Sequence, residues 1–146
     1  MLADPLLQTK YTGFVTVAAV TVYELAIKDI FCEFGRKKHK VLGSFSESYF
    51  KRINGRVTLD DIRKKYCGSY GDGYVEKFKK RLDAITLTHL AAHRRDVKSA
   101  YTNLIVWRNA FAHEGKVPPT VTYGEVVQAY EDGKQVIHSL AASMVR

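Results

Sequence analysis

The chain has 146 residues, a single-domain length that is long enough to bury a core. Its 46% hydrophobic content is typical of a folded globule and excludes a disordered chain. The two cysteines do not form a disulfide framework, and no basic segment followed by an apolar run marks a secretory signal. We therefore expect one domain over residues 1–146 and a cytoplasmic location.

Basic residues outnumber acidic ones by 23 to 15, which gives a net charge of +8. Such an excess favours an anionic partner, although solubility alone also explains it. Each basic run is typical of a solvated face, but several runs together favour nucleic acid. These runs are Arg36–Lys40, Arg63–Lys65, Lys79–Arg81 and Arg94–Arg95.

The first predicted helix runs from about Thr12 to Phe34, and Gly35 is expected to end it. Its valine- and threonine-rich start also fits a strand. The apolar stretch from Phe14 to Ile27 is too short for a membrane span and contains Glu24, so we expect no membrane contact.

Two capping boxes then predict two short helices. Ser44 with Glu47 predicts a helix that ends near Ile53, and Thr58 with Asp61 predicts one that ends near Tyr66. Between them, Asn54-Gly55 indicates a turn. The glycine-rich segment 68–73 is expected to be a flexible loop.

Three further helices complete the predicted fold. A helix with Val75, Phe78, Leu82 and Ile85 on one face comes first, and a helix from Ala100 to Ala112 follows. After Pro118-Pro119, Thr122 and Glu125 cap the last helix, in which Gly133 is expected to allow close helix packing. The sum is an all-α up-and-down bundle of about five to six helices. Its first and last helices are expected to pack around the helix at 100–112.

This helix at 100–112 carries the residues that point to chemistry. Ala100, Leu104, Trp107 and Phe111 form an apolar stripe that should face the core. Arg108, Asn109 and His113 follow the pattern R-N-x-x-x-H. Arginine is suited to binding phosphate, histidine transfers protons near neutral pH, and asparagine supplies a neutral donor and acceptor. Together they suggest chemistry on a phosphodiester.

Arg108 and His113 lie about 140° apart on an ideal helix, so one straight helix does not bring them together. Two arrangements resolve this. The helix unwinds at His113, just before Glu114-Gly115, or a twofold partner supplies the missing group from its own copy.

The pattern of Arg108, Asn109 and His113 resembles the R-x(4–6)-H signature of the HEPN superfamily. Glu24 and Lys28 also resemble the E-x-x-x-K element that some HEPN families carry on their first helix. The resemblance implies an all-α, usually dimeric protein in a superfamily rich in metal-independent endoribonucleases of toxin and antiphage systems. Some members only bind nucleic acids or nucleotides. Glu114 stands where some HEPN toxins have a tyrosine that an antitoxin modifies, so that control is not supported.

The resemblance implies an endoribonuclease that cleaves single-stranded RNA without a metal or another cofactor. Because one histidine per chain would have to serve both proton transfers, we predict a homodimer with a composite site. Arg108, Asn109 and His113 are the expected catalytic residues. Glu24, Lys28, Lys79, Lys80, Arg94 and Arg95 are the expected nucleic-acid contacts. An antitoxin or a defence-system protein is a possible further partner.

Other interpretations of these residues stay open. His89 and His93 share a helical face, as metal ligands do, but no third ligand is close in sequence. Arg108 also suits an ion pair with Glu24 or Glu114, and His113 also suits a cap at the end of its helix. No G-x-S-x-G motif is present for a hydrolase triad.

Overall fold

The computed structural model describes residues 4–145, which form an all-α bundle without strands and so confirm the expected fold class. The first and last α-helices pack on the fourth and on each other, as expected. In the described residues, no helix combines the length and apolar character needed to cross a membrane. The α-helices are α1 (Pro5–Lys38), α2 (Lys40–Phe50), α3 (Asp72–His93), α4 (Val97–Glu114) and α5 (Tyr123–Ser143).

Helix α1 begins earlier and ends later than predicted. The Asp4 side chain caps it by accepting from the backbone N–H of Leu6 at 3.0 Å, and Pro5 suits the first helical position. The prediction that Gly35 ends the helix is wrong, because Gly35 lies buried inside α1. A Cβ atom there would lie 2.6 Å from Ser46 Oγ, so this glycine allows α2 to pack closely.

Helix α2 starts at Lys40 and not at Ser44. His39 has an extended backbone that ends α1, and its Nδ1 accepts from the Val41 N–H at 3.1 Å. The predicted Ser44 cap is therefore wrong, because the chain reverses five residues earlier and α2 is already capped by the histidine.

The connection from α2 to α3 contains more helical structure than predicted. Thr58 and Asp61 form the predicted capping box, with bonds of 3.1 and 3.2 Å. They open a π-helical segment, Asp61–Tyr66, and a 3₁₀ segment, Cys67–Tyr70, follows it. The expected flexible loop at 68–73 is thus wrong, since its first half is helical and α3 begins at Asp72.

Glycine and tyrosine residues set the contact of α5 with the rest of the bundle. The Tyr23 ring stacks between Tyr101 and Tyr130, with centroids 5.2 and 5.3 Å away. A Cβ atom on Gly133 would lie 2.6 Å from the Tyr23 hydroxyl oxygen, so the predicted close approach at this glycine is present.

Candidate active site

Helix α4 is continuous past the histidine of the R-N-x-x-x-H pattern. Its predicted stripe is oriented inward, since Ala100 and Leu104 are buried and Trp107 and Phe111 are half-buried. Gly115, with a φ of +75°, ends the helix in the left-handed conformation and donates to the Phe111 carbonyl at 2.8 Å.

This continuity excludes one of the two arrangements considered for Arg108 and His113, the one in which the helix unwinds at the histidine. His113 is helical, so the predicted unwinding at this residue is wrong. The two residues remain about 140° apart around the axis and about 7.5 Å apart along it. Asn109 and His113 share an exposed face of α4, as their four-residue spacing predicts. One chain alone therefore presents the histidine and the arginine in different directions.

Arg108 is half-buried and contacts a tight turn made by residues 53–57, which we call the Gly55 turn. Its Nη2 donates to the Gly55 carbonyl oxygen at 3.0 Å, while its buried Nε has no partner among the described residues. The Glu24 carboxylate accepts from the Gly55 N–H, and Lys28 Nζ lies 3.2 Å from Glu24. The structure thus brings Arg108 and Glu24 together at one residue, Gly55, with Lys28 paired to Glu24.

Within the described residues, Arg108 does not form the alternative ion pair with Glu24 or Glu114. No contact within 4.0 Å joins its guanidinium to Glu24 or Glu114 in residues 4–145. Gly55 instead binds Glu24 through its N–H and Arg108 through its carbonyl, at a position where the sequence predicts only a turn. Nothing in the local pattern indicates that the turn lies beside Arg108, which is 53 residues away.

Two buried tyrosines donate hydrogen bonds to backbone carbonyls of the Gly55 turn. The Tyr101 hydroxyl donates to the Val57 carbonyl at 2.6 Å, and the Tyr66 hydroxyl donates to the Arg56 carbonyl. Burial raises the pKa of both hydroxyls well above the usual tyrosine value. Both therefore remain protonated donors across the physiological pH range.

The other basic candidates lie near the opposite end of α4, about 24 Å from His113 along the helix axis. Lys79 is 3.5 Å from Asp83, which also binds Lys98 in the first turn of α4. Lys80 and Arg94 are exposed. These residues are not brought together with Arg108, and their predicted contact with nucleic acid stays a prediction.

Arg95 and the predicted histidine pair lie at a buried carboxylate. Asp132 on α5 is 3% exposed, and it accepts from His89 Nε2 at 2.9 Å and from Arg95 Nε at 2.8 Å. The rings of His89 and His93 are 4.6 Å apart. Within residues 4–145 no three His, Cys, Asp or Glu side chains are grouped to hold a metal ion. These contacts connect α3 and the segment just before α4 to α5.

Replacing Asp132 by asparagine should destabilise the bundle most at neutral pH. Burial acts to raise the pKa of this carboxyl, but hydrogen bonds from Arg95 and His89 outweigh it and hold the pKa below its usual value. The stabilisation is therefore present above the ordinary aspartate pKa, which this carboxyl has in the unfolded chain, and is lost as the pH falls through the lowered pKa. We expect a loss of about 2–3 kcal/mol, below the full range for buried pairs because Arg95 reaches solvent.

Chemical denaturation of wild type and Asp132→Asn at several pH values measures this effect. The two curves should converge in acid. A difference in unfolding free energy that is the same at pH 7 and pH 3 contradicts the assignment.

One side of α1 exposes a continuous apolar stripe, which we call the α1 apolar face. Phe14, Val22 and Leu25 are 62%, 48% and 56% exposed, and Ala18 lies between them at helical spacing. At one end of the stripe, the Phe14 ring packs edge-on against Phe111, with centroids 5.2 Å apart. Since Phe111 is two residues before His113, the stripe reaches the end of α4 that carries the histidine.

The comparison with protein families agrees with the all-α fold and with the resemblance to the HEPN superfamily. The family model described as RiboL-PSP-HEPN matches residues 1–145. The chain therefore belongs to this family and, with it, to the HEPN superfamily. The chain has no match among the curated proteins or the solved structures.

Proposed function

We propose that the protein is a metal-independent endoribonuclease that cleaves single-stranded RNA. The observation that carries this proposal is the exposed histidine at the end of an unbroken α4, five residues after an arginine that donates to the Gly55 carbonyl, in a chain of the HEPN superfamily. Activity in RNA metabolism also suits the net charge of +8.

In the proposed reaction, the 2′-hydroxyl oxygen of RNA attacks the adjacent phosphorus while His113 removes the hydroxyl proton. The bond from phosphorus to the 5′-oxygen breaks, and the protonated His113 passes the proton to that oxygen. The products are a 2′,3′-cyclic phosphate and a 5′-hydroxyl. Arg108 stabilises the charge on the pentacovalent phosphate, and Asn109, which shares the exposed face of His113, orients the imidazole or the phosphate.

The proposed site is composite and belongs to a homodimer. One chain directs Arg108 and His113 about 140° apart, so the arginine of one copy has to act with the histidine of the other. The α1 apolar face supports this arrangement, because it exposes large apolar side chains close to the histidine end of α4.

A second candidate function is a binding module without catalysis, as the partner of another protein in a toxin or antiphage system. The bond from Arg108 to the Gly55 carbonyl favours it, because this donor is already occupied. In this function, Lys79, Lys80, Arg94 and Arg95 contribute exposed charge for nucleic acid and the phosphodiester stays intact.

Incubation of the purified protein with end-labelled single-stranded RNA in EDTA separates the two functions. The endoribonuclease should cut RNA and leave cyclic phosphate ends, and it should leave an all-deoxy strand of the same sequence intact, because DNA lacks the 2′-hydroxyl. Salt-sensitive binding without cleavage supports the module. Cleavage of the all-deoxy strand contradicts the proposed chemistry.

A further inference from the structure

The Gly55 turn is fixed to the core at its ends and along its backbone. Ile53 and Val57, which flank it, are 4% and 0% exposed. The carbonyls of Arg56 and Val57 accept from Tyr66 and Tyr101, both of which are buried. A segment with this many buried anchors is a rigid part of the fold rather than a lid.

In the turn, the Gly55 backbone lies directly against the Arg108 guanidinium, with no side chain between them. Gly55 has a φ of +78°, a conformation that favours glycine. A Cβ atom on Gly55 would lie 2.9 Å from both Nη1 and Nη2 of Arg108 and 3.4 Å from Cζ. Only a residue without a side chain therefore lets the guanidinium lie against this backbone while Nη2 donates to the Gly55 carbonyl.

Glu24 binds the N–H of the residue whose carbonyl Arg108 binds. Its carboxylate accepts from the Gly55 N–H and is paired with Lys28. A carboxylate that faced an RNA phosphate directly would repel it. The observed bonds give Glu24 a different role. They connect α1 to the Gly55 backbone, which Arg108 of α4 also contacts.

We propose that Glu24 and Gly55 are positioning residues that fix the direction of the Arg108 fork toward the scissile phosphate. Glu24 thus acts through the turn and not by contact with RNA. This inference rests on the proposed endoribonuclease function for its effect on rate. Its structural part, the immobilisation of Arg108, stands apart from that function.

Gly55→Ala tests the inference, with Gly71→Ala as the matched control. Gly71 has a φ of +124°, so alanine there is also strained, but its Cβ would meet nothing within 4 Å. Since small misplacements of a catalytic group are costly, we expect kcat to fall about ten- to a hundredfold in Gly55→Ala with KM nearly unchanged. Gly71→Ala should keep the wild-type kcat. Equal losses in both variants, or a faster Gly55→Ala enzyme, overturn the inference.

Glu24 variants keep the inference testable if Gly55→Ala does not fold. Glutamine retains an oxygen that accepts from the Gly55 N–H, whereas alanine does not. We expect Glu24→Gln to keep kcat within about threefold of wild type and Glu24→Ala to lose about tenfold. If the charge of Glu24 matters by contact with RNA, Glu24→Gln should instead change RNA affinity and kcat as much as Glu24→Ala, which overturns the inference.

The NMR signal of the Arg108 Nε–H separates this inference from the proposed function. Because Nε is buried, its proton should exchange slowly with solvent in the wild type. Exchange should become faster in Gly55→Ala and Glu24→Ala but not in Gly71→Ala. This result without any RNA cleavage supports the immobilisation of Arg108 and refutes the endoribonuclease function. Unchanged exchange in both site variants refutes the immobilisation of Arg108.

Discussion

His113→Ala is expected to lower kcat for RNA cleavage by about a hundred- to ten-thousandfold, because a positioned general acid or base contributes a factor of this size. The side chain is exposed at the end of α4, so its removal should leave the unfolding temperature unchanged. Rates of cleavage of labelled RNA under single-turnover conditions measure the effect.

His138→Ala is the matched control for this change. His138 is also exposed and helical, but it lies on α5 away from the R-N-x-x-x-H pattern. The His138→Ala variant should cleave RNA at the wild-type rate. An active His113→Ala enzyme, or equal losses in both variants, removes the histidine from the proposed chemistry.

Arg108→Ala should reduce kcat by a similar amount, since removal of one group that stabilises transition-state charge costs about 3–4 kcal/mol. Unlike His113→Ala, it should also lower stability by about 1 kcal/mol, because the Gly55 carbonyl loses a donor. Arg108→Lys should stay impaired, since lysine lacks the planar fork. A loss of stability with normal cleavage indicates that Arg108 is only structural.

Val22→Asp is expected to convert the protein from a dimer to a monomer and to abolish cleavage. Val22 is at the middle of the α1 apolar face, where a buried and unpaired charge would cost several kcal/mol in an interface. Its exposed position in one chain means that the folded monomer should tolerate the change. Light scattering after gel filtration at low micromolar concentration measures the mass.

Leu87→Asp provides the control for the α1 apolar face. Leu87 is 69% exposed on α3, so it receives the same new charge on a different helix. This variant should remain a dimer and cleave RNA normally. A wild-type protein that is monomeric but active contradicts the composite site, and a Val22→Asp variant that stays dimeric contradicts the α1 apolar face as the dimer interface.

Features that depend on neighbouring residues were predictable from the sequence. The Thr58–Asp61 capping box forms as expected because its two bonds span three residues. The inward stripe of α4 was also predictable, since helical periodicity alone places Leu104 and Phe111 on one side.

Features that depend on packing between distant segments were not predictable. Gly35 was expected to end α1, but its place inside the helix is set by the close approach of Ser46 on α2. Arg108 meets Gly55 across 53 residues, and His89 meets Asp132 across 43. No local pattern encodes these contacts, so the Gly55 turn became visible only in the folded chain.

Mixing two inactive variants tests most directly whether Arg108 of one copy acts with His113 of the other. Arg108→Ala and His113→Ala should each fail to cleave RNA alone. After the two proteins are mixed and allowed to exchange subunits, about half of the dimers are mixed, and each regains one intact site, so activity should return to about a quarter of the wild-type value. If subunit exchange is verified and the mixture stays inactive, the two groups do not meet across the dimer and the composite site is wrong.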